Sequence, residues 1–112
     1  MNFEELKELV LEWADDKDLL HEENADKQFM KFIEEVFEFK TEMDNYDVEI
    51  GNLKSYFYKN MKNEMGDIFV TLIILCEDLE IDPVVCLEMA YKKISKRQGK
   101  TINGTFVKSE DL

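Results

Sequence analysis

Residues 68–76 read IFVTLIILC, and this stretch decides the fold class of the 112-residue chain. Its β-branched content is typical of a buried strand, but helical spacing of apolar residues continues on both sides and no turn residues flank it. The sequence therefore predicts a helix, which we place at residues 53–79. Because residues 68–76 of this helix are apolar nearly all round, this segment must be covered on every side. Four helices from so short a chain cover it incompletely, which favours a homo-oligomer.

Apolar residues at spacings of three and four predict three further helices on either side of this segment. The first begins after Asn2 as its N-cap, and the second begins near residues 24–26. Residues 44–52 are expected to form a loop or a short irregular helix. Asp82 and Pro83 signal the start of the fourth helix, which we expect to end near residues 97–99. The predicted fold class is all-α, a four-helix-bundle-type chain.

This chain is expected to form a single domain over residues 1–112, in which residues 98–112 are an extended basic C-terminal tail. Its 26 acids against 14 bases disfavour binding to nucleic acids or to anionic membranes. No run approaches the ~20 apolar residues that a membrane span needs, and residues 1–20 lack the pattern of a signal peptide. We therefore expect a cytoplasmic protein with no nucleic-acid partner and no membrane partner.

Two groups of acidic residues are the main candidates for a functional site. Glu34, Glu35 and Glu38 lie on the second predicted helix, and Glu64 and Asp67 lie on the third. Residues three apart share a helix face. On the third helix the acids belong to a narrow polar stripe that also contains Asn60, Thr71 and Asp78.

An acidic helix face is usually solvated, and that is the simplest interpretation of the first group taken alone. The second group is different, because desolvating Glu64 and Asp67 without partners costs several kcal/mol and no basic residue lies on their stripe. Cations are the missing partners. Four carboxylates on facing helices, from Glu35, Glu38, Glu64 and Asp67, suit Mg²⁺ or Mn²⁺ rather than Zn²⁺.

These residues also carry a family resemblance. EEVFE at 34–38 followed by EMGD at 64–67 resembles the EExxE and ExxD signature of the MazG-like all-α nucleoside triphosphate pyrophosphohydrolases. The C-terminal segment AYKKISKRQGKTINGTFVK at 90–108 is similar to single-domain, phage-type members. The resemblance covers nearly the whole chain and departs at 44–63, where the connection is longer and rich in aromatic residues.

The resemblance implies hydrolysis of a nucleoside triphosphate between its α and β phosphates, which releases a monophosphate and pyrophosphate. It places Mg²⁺, with Mn²⁺ as a substitute, on Glu35, Glu38, Glu64 and Asp67. It assigns to Glu34 the orientation and deprotonation of the attacking water. A homotetramer built as a dimer of dimers is the implied assembly, with a dimer as the other possibility.

Candidate substrate contacts lie on two parts of the chain. Lys93 and Arg97, four residues apart on one helix face, resemble the phosphate-contacting pair of the family. Gln28 and Lys31 precede the first acidic group on the same helix face. Several aromatic residues can stack on a base, namely Trp13, Tyr46, Tyr56, Phe57 and Tyr58.

Two other functions are compatible with the same residues. A non-catalytic acidic helical adaptor would present its charged faces to a protein partner. A phosphoribosyl-ATP pyrophosphohydrolase-like enzyme would share the bundle and the carboxylates. The sequence leaves the preferred base and sugar open.

Overall fold

A computed structural model describes residues 1–112, which divide into two compact units, Met1–Ile81 and Asp82–Leu112. The first unit consists of three α-helices and one short 3₁₀ turn. The helices are α1 (Phe3–Asp16), α2 (Ala25–Val48) and α3 (Lys54–Asp78), and the turn is Glu22–Asn24.

Helix α4 (Pro83–Ile94) opens the second unit, and an antiparallel pair of strands follows it. The strands are β1 (Gly99–Ile102) and β2 (Thr105–Lys108), and a 3₁₀ turn at Ser109–Asp111 comes after them. This mostly helical structure confirms the predicted helical class, with the strand pair as an addition that the sequence analysis did not foresee. No helix is both long enough and apolar enough to cross a membrane.

Helices α1 and α4 begin at the predicted residues. The Asn2 side chain accepts a hydrogen bond from the Glu5 backbone N–H at 2.8 Å, which satisfies a donor that the first turn of α1 leaves free. The Asp82 carboxylate does the same for the backbone N–H groups of Val84 and Val85. Both predicted caps are therefore confirmed. Helix α4 ends at Ile94, earlier than the predicted 97–99.

Helix α2 is longer than the sequence indicates. A loop or a short irregular helix is predicted from residue 44, but residues 44–48 continue the regular helix α2, which ends only at Val48. Lys54, the first residue of α3, donates from Nζ to the carbonyl oxygens of Tyr46 at 2.7 Å and Glu49 at 3.0 Å. A cation bound to carbonyl groups at the end of a helix stabilises that end. The following helix therefore extends α2 past its Asn and Asp residues.

Helices α2 and α3 pack side by side along their lengths, and polar residues face each other between them. Near one end of this pair, Asn60 Nδ2 donates to Glu42 Oε2 at 3.2 Å. Near the other end, Gln28 Nε2 donates to the Thr71 carbonyl oxygen at 3.4 Å. We call these residues, together with those between the two contacts, the polar seam. It contains Asn60, Glu64, Asp67 and Thr71 of the polar stripe predicted on the third helix, whereas Asp78 lies beyond it.

The apolar segment 68–76 is helical, as predicted, and is covered unevenly. Ile73 and Ile74 are buried, whereas Phe69 remains 48% exposed. Ile73 is therefore covered within the chain. Phe69 would be covered, as expected for this segment, only by contact with another molecule. Ala14 of α1 completes the set of fully buried apolar residues, which is small for a chain of this size.

The C-terminal residues form a hairpin where the sequence analysis expects an extended tail. Asn103 (φ 50°) and Gly104 (φ 80°) form the two-residue turn between the strands. Positive φ at both turn residues matches the twist of paired strands, and Asn-Gly is the preferred sequence for it. Gly99 is also required, because a Cβ there would lie 2.1 Å from the Val107 carbonyl oxygen.

Asp78, at the last residue of α3, provides a test of this packing. It is 3% exposed, and its carboxylate is buried close to the backbone of His21. Burial raises the pKa of Asp78, with Glu77 and Glu23 acting in the same direction and His21 opposing them. Because the folded-state pKa lies above that of the unfolded chain, the ionised carboxylate lowers the free energy of unfolding as the pH rises above about 4.

We therefore expect Asp78→Asn to raise the melting temperature at pH 8 and to raise it less at pH 4, measured by circular dichroism. Asp16→Asn is the matched control, since Asp16 is the last residue of α1 but is exposed, and its replacement should change little at either pH. An equal shift at the two pH values would contradict the assignment of the effect to the buried charge.

Candidate metal centre and adjoining pocket

Three carboxylates converge in the middle of the polar seam. Glu35 comes from α2, and Glu64 and Asp67 come from one face of α3. One oxygen of each lies within 4.8 Å of an oxygen of the other two. Glu35 is buried and Asp67 is exposed, so the group reaches from the helix interface to the surface. We call these residues the carboxylate cluster.

The buried end of the cluster has unsatisfied oxygen atoms. Oε2 of Glu35 and Oε2 of Glu64 are both buried and have no hydrogen-bond partner. A buried carboxylate oxygen without a partner is costly and uncommon in folded proteins. Carboxylate oxygens are the ligands that Mg²⁺ and Mn²⁺ prefer. The residues therefore fit a hard divalent cation, because their donor atoms are carboxylate oxygens and two of these oxygens have no hydrogen-bond partner.

Ionisation of the cluster reflects the crowding of negative charge. Burial, together with the neighbouring Glu35, raises the pKa of Glu64 to about 7. The neighbouring Glu35 also raises the pKa of Glu38. Burial opposes ionisation of Glu35 itself, but its interactions with Lys31, Glu38 and Glu64 outweigh burial and leave its pKa lowered. The carboxylates thus share protons near neutral pH, and a bound cation would displace them.

Lys31 is the cation that the chain itself supplies. Its Nζ lies 3.2 Å from Glu35 Oε1 and 3.5 Å from Glu34 Oε2. The ion pair with Glu35 is the main reason why the pKa of Lys31 is raised. The polar stripe of α3 itself contains no basic residue. The structure places one on α2, one helical turn before the buried glutamate.

The other predicted site residues lie outside the carboxylate cluster. Glu38 interacts with Glu35 but lies outside the carboxylate cluster, and Glu34 is exposed beside Lys31. Lys93 and Arg97 belong to the second unit, but α4 ends at Ile94, so the prediction that they share one helix face is wrong. Arg97 lines a basic hollow with Lys96 and Lys108 among others. The roles expected for all these residues remain predictions.

A pocket of about 360 Å³ adjoins the carboxylate cluster within the first unit. Glu35 and Asp67 contribute to its wall, and so do Trp13 of α1 and Gln28 of α2. Trp13 is the only tryptophan in the chain. Two further predicted aromatic candidates, Tyr46 and Tyr58, instead pack against each other with their ring centroids 5.9 Å apart.

Thr71 also lines this pocket and is a residue that the site prediction missed. The signal was present, because Thr71 belongs to the polar stripe that contains Glu64 and Asp67. A threonine within an apolar run is easily taken for a strand-type residue. Only the register of α2 against α3 shows that it faces Gln28.

Comparison with known proteins identifies one similar protein and no activity. No family model matches the chain, and no solved structure matches it. The chain is 30% identical over 88 residues to an uncharacterized 18.2 kDa protein in the rep-hol intergenic region of Haemophilus phage HP1 (strain HP1c1). The alignment covers 75% of this chain and 45% of the phage protein, so the chain spans less than half the length of that relative.

The Lys31 ion pair leads to a prediction about metal binding. Lys31 would compete with a divalent cation for Glu35, so we expect Lys31→Met to tighten Mn²⁺ binding. Because the lysine is half exposed, the pair contributes at most about 1 kcal/mol, which corresponds to roughly a fivefold change or less in the dissociation constant. Calorimetry or electron paramagnetic resonance with Mn²⁺ alone measures this constant.

Lys40→Met is the matched control, because Lys40 forms the same i,i+4 ion pair with Asp44 on α2 at 2.9 Å. It should leave Mn²⁺ binding unchanged. If Lys31→Met weakens Mn²⁺ binding or behaves like the control, then the lysine does not compete with the metal for the buried carboxylate.

Proposed function

We propose that this protein is a Mg²⁺-dependent nucleoside triphosphate pyrophosphohydrolase of the MazG-like type, which hydrolyses the bond between the α and β phosphates. The observation that carries the proposal is the carboxylate cluster, with its unpartnered buried oxygens and a pocket beside it. The motif resemblance at 34–38 and 64–67 adds the reaction class. Control of nucleotide levels or removal of unwanted nucleotides is the corresponding role.

In this proposal Glu35, Glu64 and Asp67, joined by Glu38, hold Mg²⁺. The metal supplies positive charge against the triphosphate and against the charge that develops in the transition state. Glu34 is exposed to solvent next to the cluster, where it orients a water molecule and accepts its proton. The water oxygen bonds to phosphorus as the phosphoanhydride bond breaks, and pyrophosphate leaves.

The chain also needs groups that attract a triphosphate, because its formal net charge is −12. Lys31 lines the pocket and, once a metal takes its place on Glu35, is free to contact a phosphate oxygen. Lys93 and Arg97 are the further phosphate contacts that the resemblance implies. Arginine suits this role because its planar guanidinium group binds two phosphate oxygens at once.

We propose in addition that the protein forms a homo-oligomer, and the resemblance favours a tetramer over a dimer. Large apolar side chains are exposed on all three helices of the first unit. Phe37 of α2 is 68% exposed and Phe69 of α3 is 48% exposed, while few apolar residues are fully buried. Exposed apolar surface of this kind is typical of an interface between subunits.

The two other candidate functions make different predictions for the same assay. A phosphoribosyl-ATP pyrophosphohydrolase-like enzyme would use the same carboxylates and would release pyrophosphate only from that substrate. A non-catalytic adaptor would use the exposed apolar side chains to bind a partner and would release neither pyrophosphate nor orthophosphate. A panel of nucleotides that includes phosphoribosyl-ATP therefore separates all three.

The enzymatic proposal predicts the behaviour of Asp67→Asn. Loss of a metal ligand removes several kcal/mol of transition-state stabilisation, so pyrophosphate release should fall by roughly a hundredfold or more. The rise in melting temperature on addition of Mg²⁺ should fall as well, because less metal binds to the folded protein. Asp44→Asn is the control, since this exposed acid of α2 lies outside the cluster. Wild-type activity in Asp67→Asn would refute the assignment.

The assembly proposal predicts a solution mass above the 13.3 kDa of one chain. Light scattering at micromolar concentration should give two or four times that value. Phe69→Gln should shift the mass towards the monomer, whereas Ile50→Gln should not, although Ile50 is almost completely exposed. A wild-type protein that stays monomeric would overturn the proposal.

A further inference from the structure

The two units of the chain carry opposite charge. Residues 82–112 contain six of the 14 basic residues and four of the 26 acidic residues, so their formal charge is +2. Because the whole chain carries −12, residues 1–81 carry −14. Residues 89–109 hold all six of these bases and no acid. The charge of the whole chain, on which the expectation of no nucleic-acid partner rests, therefore does not describe the second unit.

A hollow of about 360 Å³ in the second unit brings three of these bases together. Lys96 and Arg97 lie just after α4, and Lys108 is the last residue of β2. The Ser109 backbone N–H donates to the Gln98 carbonyl oxygen at 2.8 Å, which joins the segment after α4 to the end of the hairpin. Cations that are far apart in the sequence are therefore held on one concave surface, which we call the basic hollow.

Acids compensate this positive charge only in part. Lys108 Nζ lies 3.8 Å from Glu110 Oε1, near the limit of an ion pair, and both side chains are exposed. No carboxylate lies within ion-pair distance of Lys96 or Arg97. Cations gathered in this way create a local positive potential, which attracts an anion. The missing partner of the basic hollow is therefore an anion from outside the chain.

The donor groups of the basic hollow favour a phosphate group. Arg97 is the only arginine in the chain and is half-buried. Its planar guanidinium group can bind two oxygens of one phosphate, and the ammonium groups of Lys96 and Lys108 add charge. The Ser109 hydroxyl is a further donor. No apolar side chain lines the hollow, so it suits the charged oxygens of a ligand rather than an apolar body.

We propose that the basic hollow binds a phosphate group without a divalent cation. The inference goes beyond the proposed function, in which Mg²⁺ at the carboxylate cluster holds the triphosphate. Here Arg97, Lys96 and Lys108 supply all the positive charge, and Glu110 gives up its contact with Lys108 when the phosphate binds. A free phosphate or pyrophosphate ion, a nucleotide and a single strand of nucleic acid all offer this chemistry.

Calorimetry of the whole 112-residue chain with inorganic pyrophosphate, in the presence of EDTA, tests the inference. Arg97→Gln should weaken pyrophosphate binding at least about tenfold, because it removes charge-assisted hydrogen bonds. Arg97→Lys keeps the charge but loses the planar group, so it should weaken binding by a smaller factor. Lys100→Gln is the matched control, since Lys100 is an exposed cation of the same unit that does not line the hollow. It should change the dissociation constant by less than about twofold.

Glu110→Gln should change the affinity in the opposite direction. Without this carboxylate Lys108 is fully available, so pyrophosphate should bind more tightly, by up to about fivefold for an exposed ion pair. Asp111→Asn is the control, because this exposed acid is the next residue and does not line the hollow. Since Glu110 is exposed, its replacement also serves as the test if Arg97→Gln fails to fold.

Further probes in EDTA identify the source of the phosphate, and each result below supports the inference. If dTMP binds no more tightly than inorganic phosphate, the phosphate alone is recognised. Tighter binding of dTMP identifies a nucleotide, whose base can stack on Phe106, a ring that is 48% exposed on the same strand as Lys108. Still tighter binding of oligothymidylate, with an affinity that falls steeply as salt is added, identifies a single strand.

Three results would each overturn the inference, namely no binding of pyrophosphate in EDTA, the same affinity in Arg97→Gln as in the wild type, and binding that needs Mg²⁺ and is lost in Asp67→Asn. The last result would assign Arg97 to the substrate of the proposed enzyme. Assays of pyrophosphate release, run in parallel, separate the two proposals. Release without metal-free binding leaves the enzyme and overturns the hollow as a site. Metal-free binding without release from any nucleotide supports the hollow and overturns the enzyme.

Discussion

The main physical constraint on the first unit is the presence of acidic side chains between two of its helices. Glu35 and Glu64 lie in the interface of α2 and α3, each with a buried oxygen that no hydrogen bond satisfies. When both are ionised, their repulsion opposes the packing of the two helices. The Gln28 contact with Thr71 at one end of the seam and the Asn60 contact with Glu42 at the other fix the register of the pair. Within the chain, Lys31 offsets part of the charge, and a divalent cation would offset the rest.

Much of the fold follows from local sequence signals, and its differences from prediction have distinct causes. Caps at Asn2 and Asp82 mark two helix starts because the capping bond joins residues two or three apart. The extension of α2 to Val48 could not be predicted in this way, since it depends on Lys54 of the next helix. The hairpin is a different case. Asn103-Gly104 between short β-branched and aromatic segments is a strong hairpin signal, and the sequence analysis weighed the basic charge of this segment instead.

The candidate site was predictable to the level of a helix face and no further. Spacing of three residues places Glu64 and Asp67 on one face of α3, and the structure brings Glu35 to them. Spacing does not fix how far one helix is displaced along the other, and a displacement of one turn is about 5.4 Å. That distance decides whether Glu38 or Glu35 lies within the group, and whether Thr71 faces Gln28. The position of Lys31 depends on the same register and on the rotamer of a long side chain.

The polar residues of the seam also reduce the amount of buried apolar surface. Positions of α3 that would hold core residues in an ordinary helix pair are taken by Asn60, Glu64 and Thr71, so the fully buried apolar set is reduced to Ala14, Ile73 and Ile74. A unit with so small a core has little hydrophobic stabilisation to set against the repulsion of its carboxylates. Ligands that bind only the folded state add stability by mass action, and a cation in the cluster or a second copy on the exposed apolar faces would each do so. The proposed metal binding and self-association would therefore be two responses to one feature, the placement of carboxylates where a helical bundle normally places its core.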